Sequence, residues 1–170
     1  MKVRRRGSVF AALMLVVALQ PTRVFAAALT GPTGATVSGW SLSSSGTNTI
    51  SGGTMTVSSL LSSYTVTVQA DKAKMSEYSS GAYVGGGKSL GTALHVITAR
   101  TGGAGVLCNG SGTNATVGTS ATTVASGPGG LACSDIYSVT LSQATSIGDN
   151  ALAPGHTYHI VLTYTLSGGL

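Results

Sequence analysis

The chain predicts an all-β protein: an antiparallel, immunoglobulin-like β-sandwich of about seven to nine strands behind a cleaved signal peptide. Three observations carry that expectation. Short stretches alternate apolar with hydroxylated residues at a period of two, the spacing of a half-buried strand. Gly and Pro clusters punctuate these stretches. Charged residues make up only 8% of the sequence, too few for the i,i+4 pairs that support helical surfaces.

The N-terminus reads in three parts. Lys2, Arg4, Arg5 and Arg6 form a positive head, residues 9–19 are an apolar run, and Pro21 precedes the small-residue exit Val24-Phe25-Ala26. That is the pattern of a secretory signal. Its 11 apolar residues fall short of the ~20 a membrane-spanning helix needs. Cleavage is expected after Ala26, with Ala28 as a second acceptable site. The lack of a Cys after the run closes the bacterial lipoprotein route. The domain boundaries are therefore 1–26 for the signal and 27–170 for one β-sandwich domain, secreted or held at the cell surface.

Within 27–170 the candidate strands follow in order. Thr54-Met55-Thr56-Val57 is a short alternation, and Tyr64-Thr65-Val66-Thr67-Val68 places Tyr64, Val66 and Val68 on one face. A more continuous run, Ala93-Leu94-His95-Val96-Ile97, comes next. In Ile136-Tyr137-Ser138-Val139-Thr140-Leu141 the residues Tyr137, Val139 and Leu141 align. The clearest run, residues 158–166, sets Tyr158, Ile160, Leu162, Tyr164 and Leu166 against His159, Val161, Thr163 and Thr165. Turns are expected at Gly52-Gly53, Gly85-Gly86-Gly87, Gly102-Gly103, Gly127-Pro128-Gly129-Gly130 and Pro154-Gly155. Residues 72–78 are the one stretch read as a short helical turn.

Charge excludes one class of partner. Of the nine basic residues behind the net charge of +5, five precede the cut. The remainder, Lys72, Lys74, Lys88 and Arg100, balance Asp71, Glu77, Asp135 and Asp149. No basic stripe is left for phosphates, so nucleic acid is not an expected partner. No transmembrane segment is expected after signal cleavage. Cys108 and Cys133, in an exported chain, are expected to form one disulfide. It would close a Gly/Ser/Thr-rich loop, residues 109–130, with little core of its own.

Candidate chemistry is sparse. Gly86-Gly87-Lys88-Ser89 resembles the end of a phosphate loop but has Ala82 where the motif needs Gly. It reads as a Gly-rich hairpin with a solvated Lys. No GxSxG elbow is present. His95 is expected to pack or hydrogen-bond within its strand, while His156 and His159 are expected to face solvent and, on a strand, to point apart rather than share a metal. Asp71 and Asp149 stand alone, short of a calcium cluster. Asn109-Gly110-Ser111 and Asn114-Ala115-Thr116 fit a glycosylation pattern that arises by chance in a Ser/Thr-rich loop. No catalytic, cofactor or metal residue is assigned. The aromatics singled out, as ligand platforms or as packing residues, are Trp40, Tyr64 and Tyr164.

The stretch 153–166, Ala-Pro-Gly-His-Thr-Tyr-His-Ile-Val-Leu-Thr-Tyr-Thr-Leu, resembles the end of WxL-type surface domains of Gram-positive bacteria. Tyr164-Thr165-Leu166 occupies the place of the terminal Trp-x-Leu, and a literal Trp40-Ser41-Leu42 lies earlier. The resemblance covers about 14 residues and implies an exported β-rich module associating non-covalently with peptidoglycan. The expected function is thus a non-catalytic cell-surface or matrix module binding cell-wall or other surface glycan. The alternative is a self-assembling, pilin-like fibre subunit that donates its C-terminal strand. A small secreted enzyme comes third.

Overall fold

The computed structural model describes residues 27–31, 34–38, 45–129, 131–149 and 152–168. The expected signal peptide and Trp40 lie outside the described residues. Two antiparallel sheets pack face to face as a β-sandwich. The first sheet runs β1 (Ala28–Thr30), β3 (Gly46–Ser59), β11 (Leu131–Thr145), β7 (His95–Val106) and β9 (Asn114–Thr116). The second runs β6 (Ala82–Tyr83), β5 (Ser76–Ser79), β12 (Thr157–Gly168), β4 (Tyr64–Ala70), β10 (Thr122–Gly127) and β8 (Ser111–Gly112), with β2 (Gly34–Ser38) against the other side of β12. Among the described residues no helix forms, and none is long and apolar enough to cross a membrane.

The period-two pattern explains which faces meet. Met55, Val57, Val96, Tyr137, Val139 and Leu141 point inward from the first sheet, and Tyr64, Val66, Val68, Val124, Ile160, Leu162 and Tyr164 from the second. Their alternate neighbours carry hydroxyls to the surface, as a two-layer sheet requires. Tyr158 and Leu166 complete the inward row of β12 as partly buried residues.

The structure departs from the sequence expectations in three places. Gly52-Gly53 and Gly102-Gly103 are not turns; they lie inside the long strands β3 and β7. The β3–β11 register slips between Val139 and Thr140, opposite Gly53 and Ser51, leaving Gly52 as the extra residue. A Cβ on Gly52 would stand 2.8 Å from Val139 Cγ1, so a glycine bulge bends a strand where a turn was expected. Residues 72–78 form no helical turn. Ser76 onward extends as β5 because β12 offers it a ladder, Tyr78 pairing with Thr157 and Glu77 with Tyr158. The third departure is the segment between the cysteines, which supplies β8, β9 and β10 and buries Ala115, Val117, Val124 and Ala125 in the core. Short alternations among Gly, Ser and Thr hid those strands.

The Cys108 and Cys133 Sγ atoms lie 2.01 Å apart with Cα atoms at 5.4 Å, bonded as expected. They join the end of β7 to the start of β11. β12 is hydrogen-bonded along both sides: β4 and β5 take one edge, and β2 takes residues 159–163 on the other. Its inward row buries Ile160, Leu162 and Tyr164, with Tyr158 and Leu166 partly covered at its two ends.

Candidate functional site

Two side-chain clusters stand out, one buried and one at the surface. In the buried cluster Tyr64 of β4 reaches across the sandwich to β11. Its hydroxyl donates to Asp135 Oδ2 at 2.6 Å and lies 2.6 Å from the Tyr137 hydroxyl. Arg100 of β7 donates from Nε to Asp135 Oδ1 at 2.5 Å and from its guanidinium to the Cys108 carbonyl at 3.2 Å. Burial pushes Asp135 toward protonation, but donors from Tyr64 and Arg100 and the Gly110 N–H outweigh it and hold the carboxyl below its usual range. Desolvation, then Asp135, drives the Tyr64 phenol well up, so it stays a donor. Glycines close the space around these rings: a Cβ on Gly110 would collide with both tyrosine hydroxyls, and one on Gly127 with the Tyr64 ring. The cluster is internally satisfied and has no room for a substrate. It is a polar clamp between the sheets.

The surface cluster is built by a hairpin. β5 and β6 are joined by Ser80-Gly81, whose φ values of +52° and +85° suit a two-residue type I′ turn. That turn sets Tyr78 directly opposite Tyr83, and the rings meet edge to face at 5.3 Å. β12 runs on the other side of β5, and the diagonal between Tyr78 and His159 stacks their rings at 4.0 Å and 12°. Tyr83 meets His159 edge-on at 5.4 Å, and Lys72 Nζ lies 4.8 Å above the Tyr83 ring. Asp71 fixes the arrangement: Oδ2 accepts the Tyr83 hydroxyl at 2.5 Å and Oδ1 the Val161 N–H at 2.8 Å. Burial and then that bond push the Tyr83 phenol up. Ser76 and Ser89 share a 2.9 Å hydroxyl contact alongside.

Both tyrosines are half-buried. Each keeps part of a ring toward solvent with hydroxyls and one ammonium close by, the elements that stack on and hydrogen-bond a sugar. His159 is only 7% exposed, and its Nδ1 is buried with no hydrogen-bond partner among the described residues. The expectation that it faces solvent is therefore corrected: the outer side of β12 is covered here by Tyr78. His156 is corrected as well. It is half-buried, its Nδ1 2.6 Å from Glu77 Oε1. Glu77 also takes the Lys88 N–H at 2.8 Å, and these two partners, the Lys88 amide first, hold its carboxyl low. The His156 imidazole thus meets Glu77, while the His159 ring stacks on Tyr78. Among the described residues no three His, Cys, Asp or Glu side chains converge on a metal position. His95 is hydrogen-bonded within the sheet, Nδ1 3.0 Å from Asn114 Oδ1.

Of the aromatics singled out from sequence, Tyr64 belongs to the clamp and Tyr164 is 5% exposed in the core. Burial pushes the Tyr164 phenol up to about 12. Both are packing residues. Tyr78 and Tyr83 were missed, and His159 was read as facing solvent rather than as their backing. Their signal was Tyr78-Ser79-Ser80-Gly81-Ala82-Tyr83, two aromatics at equal distance from a Ser-Gly turn.

The chain matches no protein-family model, no curated protein and no solved structure.

Proposed function

We propose that this chain is an exported, non-catalytic surface module that holds cell-wall or other surface glycan non-covalently through the Tyr78–Tyr83 hairpin. The observation that carries the reading is the ring platform itself: half-buried Tyr83 held by Asp71, and half-buried Tyr78 packed between Tyr83 and His159. Fixed rings lose little freedom when a sugar stacks on them, which favours binding. Ser76, Ser89 and Lys72 supply hydrogen bonds at the rim. Tyr164, at the place of the aromatic in a WxL-type ending, is committed to the core, so glycan contact does not run through it.

The export reading rests on the charged head, apolar run and small-residue exit of residues 1–26, and the bonded cysteine pair suits an oxidising compartment. The test is co-sedimentation of residues 27–170 with protein-stripped cell walls. Retention that falls about tenfold or more in Tyr78→Ala and Tyr83→Ala supports the reading. Equal retention of wild type and both variants, or none at all, rejects it. Soluble high-order species on a sizing column would point instead to fibre assembly.

A further inference from the structure

The dipeptide Asn109-Gly110 joins an exposed residue to a buried one. Asn109 stands in solvent, while Gly110 lies against the polar clamp. A Cβ on Gly110 would collide with the Tyr64 and Tyr137 hydroxyls and stand 2.9 Å from Asp135 Oδ2, so packing admits only glycine there. The Gly110 N–H faces the Asp135 carboxylate. On the other side, Cys108 is bonded to Cys133, and its carbonyl accepts from the Arg100 guanidinium at 3.2 Å. Asn109 is thus an exposed carboxamide between two anchored neighbours, and it is the one Asn in the sequence that Gly follows.

That pairing carries chemistry of its own. The Gly110 backbone nitrogen, once its proton is lost to water, can attack the Asn109 carboxamide carbon, and a glycine places no Cβ in the way. The N–Cγ bond forms, the Cγ–Nδ2 bond breaks, ammonia leaves, and a five-membered imide closes. Water then opens the imide at either carbonyl. The product is an Asp or an isoaspartyl residue, whose backbone is one carbon longer. Water is the only reagent consumed. In the imide, Cγ takes the place the amide hydrogen held. In the folded chain that place faces Asp135 inside the clamp, so ring closure requires Gly110 to swing out.

We propose that Asn109 is a self-modification site gated by the clamp: it remains a carboxamide while Gly110 is seated and converts when the 107–110 segment opens. That opening is local and leaves the sandwich folded. Conversion is one-way, because it sets a new carboxylate near Asp135, a like charge that opposes reseating. The product therefore records that the clamp has opened. The proposal does not rest on glycan binding.

The experiment follows Asn109 by peptide mapping and mass spectrometry while the disulfide-bonded protein is held at mildly alkaline pH, below its melting temperature. The reduced, denatured chain sets the ungated rate. Native wild type is expected to convert at least about tenfold more slowly. Tyr64→Phe and Asp135→Asn loosen the clamp, and each should speed native conversion about tenfold by raising the open population. Tyr164→Ala weakens the core without touching the clamp and should leave the rate within about twofold. Native wild type converting as fast as the denatured chain overturns the proposal, as does a denatured chain that does not convert. Clamp variants no faster than wild type overturn it too. Acceleration in Tyr164→Ala equal to that in the clamp variants would assign conversion to unfolding of the whole domain and overturn it equally.

Discussion

Tyr64 has one proton and two partners. The proton goes to Asp135, so Tyr137 must donate to the Tyr64 oxygen, and the chain of bonds passes from the guanidinium of Arg100 to the far sheet. Tyr64→Phe keeps the ring and removes the link, leaving a buried carboxylate short of a donor. A loss of about 1–3 kcal/mol is expected from chemical denaturation. Tyr164→Ala should be costlier, about 3–5 kcal/mol by analogy with other buried rings, because Tyr164 fills core volume. Tyr78→Ala and Tyr83→Ala should cost less stability than Tyr164→Ala, because both rings are only half-buried, yet lose glycan. These contrasts mark what the sequence could and could not reveal. A Tyr at the head of an alternating run looks the same whether its ring is packed or presented. Tyr64 and Tyr164 were legible as strand residues on apolar rows, with packing and ligand contact left open between them, and Asp135 gave no sign of its partners because Tyr64 and Arg100 are 71 and 35 positions away.

The strands show where period-two reading succeeds. β4, β11 and β12 bury the rows of Val, Leu, Ile and Tyr that alternation marks. It fails where most side chains are small: apart from Asn114 and Val124, β8, β9 and β10 are written in Ser, Thr, Gly and Ala, and their pairing is decided by neighbours distant in sequence. The glycine pairs in β3 and β7 mislead for a related reason, since a bulge and a turn draw on the same residue. The bond between Cys108 and Cys133 spans 25 positions, and in the chain-entropy picture its reduction should cost about 3–4 kcal/mol. Thermal melts with and without reductant measure this directly. At the sheet edges, β1 and β2 cover β3 and the 159–163 segment of β12. Removing residues 27–38 should uncover two edges and produce concentration-dependent association, readable by light scattering. With β2 in place, donation of β12 to a neighbour would first require clearing both of its sides.

For the whole molecule, stability should be bounded at both extremes of pH. Asp135, Glu77 and Asp149 hold their carboxyls below the ordinary range. The stability they contribute is full above the unfolded-state value and is lost as pH falls through their folded values, so melting temperature should drop below about pH 4. Tyr64, Tyr83 and Tyr164 are shifted up. Their contribution is present below the unfolded phenol value and fades as pH rises above about 10. Asp135→Asn should flatten part of the acid limb and, by removing the carboxylate that helps hold the Tyr64 phenol up, part of the alkaline limb as well, which a pH series of melts would resolve. A molecule this sparse in charge gains little from long-range electrostatics, so the glycan reading predicts selectivity by shape, stacking and hydroxyl geometry. The most direct measurement of the central claim is an amide chemical-shift titration of residues 27–170 with soluble, uncharged peptidoglycan glycan fragments. The account expects saturable shifts confined to β5, β6 and the first residues of β12, abolished in Tyr78→Ala. Shifts centred elsewhere, or none at concentrations that saturate wall retention, would contradict it.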